Sequence, residues 1–169
     1  MNNAEPSSRV TLEQVVDWRA AVLAGLVAGV VFFILQMVGR ALVTGGSVWL
    51  APHYIAAIVL GTEILPPPAP FDPLVVLIAI LLNTILSLIF TLILAAIIHE
   101  WQLITGVIVG ALFGLALYAI NYYSLSYFFP WFYPIRTWVD VTAHVLFGAI
   151  AGGVYEYLEV ERFVMERGN

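Results

Sequence analysis

Four long apolar stretches constrain the fold of this chain more than any other feature. Each is 19 to 25 residues long, and three of the four contain no charged residue. An α-helix rises 1.5 Å per residue, so about 20 residues cross the hydrocarbon core of a bilayer. The stretches lack the alternation of apolar and polar residues that marks a membrane β-barrel. They predict an all-α integral membrane protein, a bundle of four transmembrane helices spanning Ala20–Val38, Leu74–Ile98, Leu103–Tyr123 and Trp138–Leu158.

The composition excludes a water-soluble domain. Hydrophobic residues make up 62% and charged residues 10% of the 169 residues, whereas soluble domains have roughly 45–50% and about 25%. A chain this small leaves much of its surface exposed, so lipid must cover the apolar part. The net charge is −5 and every basic residue is arginine, without a basic patch. Nucleic acid is therefore not expected as a partner.

The arginines predict how the bundle is oriented. Residues 1–17 form a polar N-terminus that does not resemble a signal peptide, and residues 159–169 form a polar tail. Four spans place both segments on one side of the membrane, together with most of the arginines. We therefore expect both termini to be cytoplasmic in a bacterial inner membrane. Arg9, Arg19, Arg162 and Arg167 lie on that side, and Arg40 and Arg136 on the other.

The segment between the first two spans allows two interpretations. Ser47–Leu65 is moderately apolar but contains His53 and Glu63, and a proline-rich loop follows it at residues 66–70. We predict a short interfacial helix that begins near Pro52. A fifth span is the alternative, and the cost of ionisable side chains in a bilayer disfavours it.

Small residues predict where the helices pack closely. Glycines allow the backbones of membrane helices to approach each other. They recur at four-residue spacing in the half of the bundle nearer the termini, at Gly25, Gly29, Gly106, Gly110, Gly114, Gly148 and Gly152.

Polar residues concentrate in the opposite half and form a predicted intramembrane cluster. Positions four apart on a helix drift by only about 40°, so Arg136, Asp140 and His144 are expected to share one face. A second ladder begins at Asn83 and could face the first across the bundle. The predicted cluster comprises Gln36, Arg40, Asn83, Asn121, Arg136, Asp140 and His144.

This cluster has three interpretations. It could be structural, with an Arg136–Asp140 ion pair and Asp140 orienting His144. It could be a proton or ion relay, with His144 as the titrating group. Haem ligation by His53 and His144 is the third, and three scattered histidines argue against it. We therefore predict no catalytic residue, no metal site and no cofactor.

An aromatic loop joins the third and fourth spans. Nine of the 17 residues from Tyr122 to Trp138 are aromatic. Such residues are typical of the membrane interface. The alternative is a surface that binds a partner subunit or a lipid-soluble ligand, centred on Trp131, Phe132 and Tyr133.

Several short motifs resemble a known family. They are Leu65-Pro66-Pro67-Pro68-Ala69-Pro70-Phe71-Asp72, Phe129-Pro130-Trp131-Phe132, Arg136-x-Trp138, Ala143-His144 and Phe147-Gly148. The chain from Trp18 onward is similar to bacterial four-span membrane proteins of about this length and unknown function, some labelled "sodium:proline symporter". The resemblance implies four helices and a proline-rich loop, and it supplies no catalytic residues.

These features favour a non-catalytic membrane subunit or accessory factor of a larger complex, such as an energy-transducing one. The partners expected are the lipid bilayer and other membrane subunits or further copies of the chain. A small homo-oligomeric transporter or half-channel for protons or a small solute is the alternative. An enzyme that acts on a lipid-soluble substrate is the third candidate.

Overall fold

A computed structural model of the chain describes residues 10–160 and 163–167. It confirms the predicted bundle, because four helices are long and apolar enough to cross a membrane. A two-stranded antiparallel ribbon pairs the two ends of the chain. The elements are β1 (Val10–Gln14), α1 (Trp18–Thr44), α2 (Leu50–Leu60), α3 (Pro73–Ile98), α4 (Leu103–Ala119), α5 (Trp138–Leu158) and β2 (Phe163–Arg167).

Local sequence explains where the long helices begin. Asp17 caps α1, its carboxylate accepting from the backbone N–H groups of Arg19 and Ala20 at 3.0 and 3.2 Å. Asp72 caps α3 in the same way, and Pro73 at the first helical position needs no hydrogen-bond partner. At the other end of α1, Gly45 takes a left-handed conformation with φ of 66°, which a glycine adopts at little cost.

Several predicted boundaries differ from the structure by one to six residues, including those of α1 and α2. Helix α1 continues to Thr44, six residues beyond the predicted end at Val38, because the charge of Arg40 is neutralised inside the bundle. Helix α2 begins at Leu50 rather than near Pro52. Its 11 residues rise only about 16 Å, so it is too short to be a fifth span. It packs instead against α1 and α3, where Ala56 meets Val75 and Ala79.

The order of packing differs from the order in the chain. Helix α1 lies between α3 and α5, and α4 packs on α5 and only marginally on α3. We call the end of the bundle that carries the chain termini the terminal side, and the end that carries α2 and the aromatic loop the loop side.

The terminal half is tightly closed by glycines. A Cβ atom at Gly110 would overlap the carbonyl oxygen of Gly148, and one at Gly114 would overlap that of His144. Between α1 and α3, a Cβ atom at Gly29 would lie 2.6 Å from the Ser87 hydroxyl and one at Gly25 would lie 3.2 Å from Thr91 Cβ. The predicted packing glycines therefore lie at helix–helix contacts, where a side chain would separate the backbones.

The same half is tied together at the chain ends. Tyr155 is fully buried, and its hydroxyl donates to Glu159 at 3.0 Å and accepts from the Asp17 backbone N–H at 3.3 Å. The Val160 N–H donates to the Asp17 carboxylate at 3.4 Å. The start of α1 and the end of α5 are thus joined just below the ribbon.

The glycine contact between α4 and α5 generates a prediction. Gly110→Ala should lower the free energy of unfolding by about 3 kcal/mol, since a methyl group against a backbone carbonyl cannot be relieved by a rotamer change. Gly46→Ala, at an exposed loop glycine, should change it by less than about 1 kcal/mol. Unfolding by titration with sodium dodecyl sulfate in mixed micelles measures both. Equal effects of the two substitutions would contradict the close contact.

Candidate functional site

An ion pair between Arg40 of α1 and Asp140 of α5 forms the centre of the loop half. The guanidinium Nη2 contacts the Asp140 carboxylate, and the two side chains are 4% and 0% exposed. Two further groups complete the pair. Arg40 Nη1 donates to the Ile135 carbonyl at 2.7 Å, and the Tyr122 hydroxyl donates to Asp140 Oδ1 at 2.8 Å. The charges are neutralised and hydrogen-bonded within the fold, as buried charges require.

The predicted Arg136–Asp140 pair is wrong. Arg136 precedes α5, which begins at Trp138, so the spacing of four residues does not place it on the face of Asp140. The second carboxylate oxygen of Asp140 instead accepts from the backbone N–H and the hydroxyl of Thr137, at 2.6 and 2.9 Å, and caps the helix. Arg136 lies outside the cluster. Its Nε donates to the Tyr133 carbonyl at 2.7 Å, and its guanidinium stacks 3.7 Å from the centre of the Tyr133 ring.

His144 is buried one turn below Asp140. Its Nδ1 lies 2.7 Å from the Asp140 carbonyl oxygen, which only accepts, so Nδ1 carries a proton. Its Nε2 lies 3.1 Å from the Asn121 amide nitrogen, which donates to it. This arrangement suits the neutral imidazole. Asp140 therefore orients His144 through its backbone carbonyl.

The polar ladder of α3 packs mainly on α1 and not on the ladder of α5. The Asn83 amide donates to the Gly29 carbonyl at 3.0 Å, and Ser87 and Thr91 pack on the glycines of α1. The ladder of α3 thus contacts α1, which lies between α3 and α5. His53 also lies apart, since its Nδ1 donates within α2 to the Trp49 carbonyl at 2.8 Å.

A cavity of about 140 Å³ lies beside the ion pair, enclosed by all five helices and the aromatic loop. Its floor toward the terminal half is apolar and formed by Phe32, Phe90, Leu117 and Phe147. Most of the remaining wall is also apolar. The polar side chains on the wall are Gln36, Arg40, Tyr54, Asn83, Ser87, Asn121, Tyr122 and His144.

Two polar groups on this wall lack a hydrogen bond within the part of the chain that the structure describes. Gln36 is 4% exposed, and its side-chain amide has no partner there. Arg40 Nε is buried without an acceptor among the same residues. Gln36 and Arg40 lie four residues apart on α1 and therefore share a face. A buried amide or N–H without a partner costs about 1–3 kcal/mol.

The cavity reaches the lipid-facing surface between α3 and α4. Its lining includes Leu86 of α3 and Leu125 just after α4, which are exposed by 40% and 38%. Both residues thus lie at its edge. The marginal contact between these two helices leaves this gap.

The aromatic loop closes the cavity on the loop side. The Trp131 indole N–H donates to the Tyr54 carbonyl of α2 at 3.3 Å, and Phe132 lines the cavity with its ring 5.9 Å from that of Tyr122. Trp131 and Phe132 are half-buried, so of the predicted surface of Trp131, Phe132 and Tyr133 only Tyr133 is largely exposed. The exposed aromatic residues from Tyr122 to Trp138, which we call the aromatic surface, are Tyr123, Tyr127, Phe128, Tyr133 and Trp138.

Sequence reasoning named Arg40, Asp140, Gln36, Asn83, Asn121 and His144, and the structure places all six at the ion pair or the cavity wall. It missed Tyr122 and Thr137 as partners of Asp140. A signal was available only for the Arg40–Asp140 pair: Arg40 follows the first predicted span, and Asp140 lies at the start of the fourth, on the same side of the membrane. Among the residues described, no group of three His, Asp or Glu residues is close enough to hold a metal ion.

Comparison with protein-family models, with curated proteins and with solved structures gives no match to this chain. The fold and the site therefore define its class: it is a four-span helical membrane protein with a buried ion pair and a lateral cavity.

The ion pair predicts different effects for two arginines. Arg40→Gln should lower the free energy of unfolding by about 3–5 kcal/mol, because it leaves the Asp140 carboxylate buried without its counter-charge. Arg136→Gln is the matched control and should cost about 1–2 kcal/mol, since it removes a half-buried stacking contact and one hydrogen bond but leaves no buried charge unpaired. Titration with sodium dodecyl sulfate compares them.

Asp140→Asn should lower the free energy of unfolding less in the Arg40→Gln variant than in the wild-type protein, because the two residues act as a pair. Equal losses for Arg40→Gln and Arg136→Gln would contradict the assignment.

Proposed function

We propose that this chain is a non-catalytic subunit or accessory factor of a larger membrane complex. The observation that carries the proposal is that Arg40 and Asp140, the charged side chains of the site, neutralise each other within the fold. Their remaining hydrogen-bonding atoms are mostly taken by Tyr122, Thr137 and Ile135. A catalytic acid, base or nucleophile has to be available to a substrate, and a carboxylate that accepts hydrogen bonds on both oxygens is held for structure instead.

The aromatic surface supports a role in assembly. Tyr127 and Phe128 are 85% and 69% exposed, and Tyr123 and Tyr133 flank the Arg136 guanidinium. Aromatic side chains and arginine are enriched where proteins contact each other. Such a group at one end of a membrane bundle would suit the loop-side end of a partner's transmembrane helix.

A transporter or half-channel for protons or a small solute is less well supported. The ionisable groups of the cavity stop at its apolar floor. The next ionisable side chain along α5, Glu156, lies beyond the glycine contacts that bring the backbones of α4 and α5 together. A path across the membrane would have to open this half of the bundle.

We place the protein in a bacterial inner membrane with both termini in the cytoplasm. The grounds are the arginines at both ends of the chain, which exceed those on the loop side by four to two.

The assembly role predicts loss of a complex in aromatic-surface variants. Protein extracted in mild detergent from its host at native expression should migrate on native gels with a stoichiometric set of larger membrane subunits, identified by mass spectrometry. The double substitution Tyr127→Ala and Phe128→Ala should release it, since it removes the most exposed part of the aromatic surface. Leu42→Ala is the matched control, because Leu42 is an 80% exposed apolar residue of α1 on the same side.

Two results would contradict this proposal. One is wild-type protein that migrates alone or only as a homo-oligomer. The other is purified protein that dissipates a pH gradient across liposomes and loses this activity in His144→Ala, which would indicate the relay.

A further inference from the structure

We propose that the cavity binds a neutral, lipid-soluble molecule with a flat carbonyl-bearing ring and an apolar tail, the chemistry of a quinone. This binding site is independent of whether the protein assembles with partner subunits.

The size and lining of the cavity favour a ring. Its volume is about 140 Å³, and an engineered protein cavity of roughly 150 Å³ binds benzene. Aromatic side chains approach it from several directions, including Phe32, Phe90, Phe132 and Phe147. Aromatic side chains pack well on flat rings through stacked and edge-to-face contacts. One substituted six-membered ring therefore fits better than a bulky lipid head group.

The unpartnered groups favour a carbonyl oxygen on that ring. The Gln36 and Arg40 side chains both line the cavity and are 4% exposed, and neither the Gln36 amide nor the Arg40 Nε–H has an acceptor among the described residues. Both offer an N–H donor, so a ligand oxygen that accepts hydrogen bonds would satisfy them. The structure provides these donors beside the cavity, and a ligand would remove the cost of burying them.

The charge balance favours a neutral ligand. Asp140 already compensates the Arg40 guanidinium, so an anionic head group would have to compete with Asp140 for it. A cationic head group would meet the Gln36 and Arg40 donors. Because burying an unpaired charge is costly, a neutral acceptor is the ligand that leaves the ion pair intact.

The position of the cavity opening explains why the proposed ligand has an apolar tail. Leu86 and Leu125 border the cavity between α3 and α4, at the lipid-facing surface of the bundle. A molecule dissolved in the bilayer could insert its ring through this gap and leave its apolar tail in the lipid.

The test uses the full chain in phosphatidylcholine nanodiscs and a decyl-substituted benzoquinone as the probe. Quenching of tryptophan fluorescence by the quinone should saturate at one probe per chain. Gln36→Leu and Gln36→Met should raise the apparent Kd about tenfold, which corresponds to the loss of one hydrogen bond. Gln102→Leu makes the same substitution at an exposed glutamine on the terminal side and should leave Kd unchanged. All variants keep the same tryptophans, so nonspecific quenching is equal in each.

A second arm distinguishes the ring from other carbonyl compounds. Monodecanoin, a glycerol ester with a similar tail, should displace the quinone only at an excess of about tenfold or more. The Gln36 variants should unfold at the same or a higher concentration of sodium dodecyl sulfate than the wild-type protein, because they remove an unpartnered buried amide. If Gln36 had only a structural role, its substitution would lower the concentration of sodium dodecyl sulfate at which the protein unfolds.

Three outcomes would overturn the proposal. The first is quenching that does not saturate in any variant. The second is an unchanged Kd in both Gln36 variants. The third is displacement of the quinone by an equal concentration of monodecanoin, which would assign the cavity to a lipid ester.

Discussion

The Arg40–Asp140 ion pair is the interaction on which the loop half of this protein depends. It joins residues 100 positions apart in the chain and sets the register between α1 and α5. The same two side chains hold Tyr122 beyond α4, the cap residue Thr137 and the carbonyl of Ile135. Because an unpaired charge is so costly at membrane depth, this arrangement has few alternatives. One pair thereby positions two helices and both ends of the aromatic loop.

The two halves of the bundle differ because their side chains differ in size. On the terminal side, glycines bring the backbones of α4 and α5 into contact, and a Cβ atom at several of these positions would overlap the opposite backbone. On the loop side, large side chains line the cavity, among them Phe147 of α5 and Tyr122, which lies just after α4. The cavity is thus a consequence of the change from small to large residues along the helices. Its walls are supported by the closely packed half below, so we expect it to be preformed.

The sequence predicted the spans, the depth of the glycine contacts and most of the polar residues near the cavity, because hydrophobic length and residue spacing within one helix report on these features. It did not predict the partner of Asp140. Spacing within a helix favoured Arg136, but the helix begins only after Thr137, so Arg136 lies outside it. The partner of Asp140 is Arg40, on another span. The inward position of Trp131 likewise depends on a tertiary hydrogen bond to α2. The resemblance to bacterial four-span proteins and the accessory role stay predictions.

The histidine beside the ion pair can also be understood without a relay. The imidazole donates to the Asp140 carbonyl and accepts from Asn121, so both ring nitrogens are used in one tautomer. Protonation would give Nε2 a hydrogen that points at an amide donor, and Asn121 would have to turn its amide to accept it. The rings of Phe32 and Tyr122 pack around the imidazole and provide no counter-charge. A neutral His144 therefore joins α5 to the end of α4 and completes the polar side of a cavity suited to a neutral ligand.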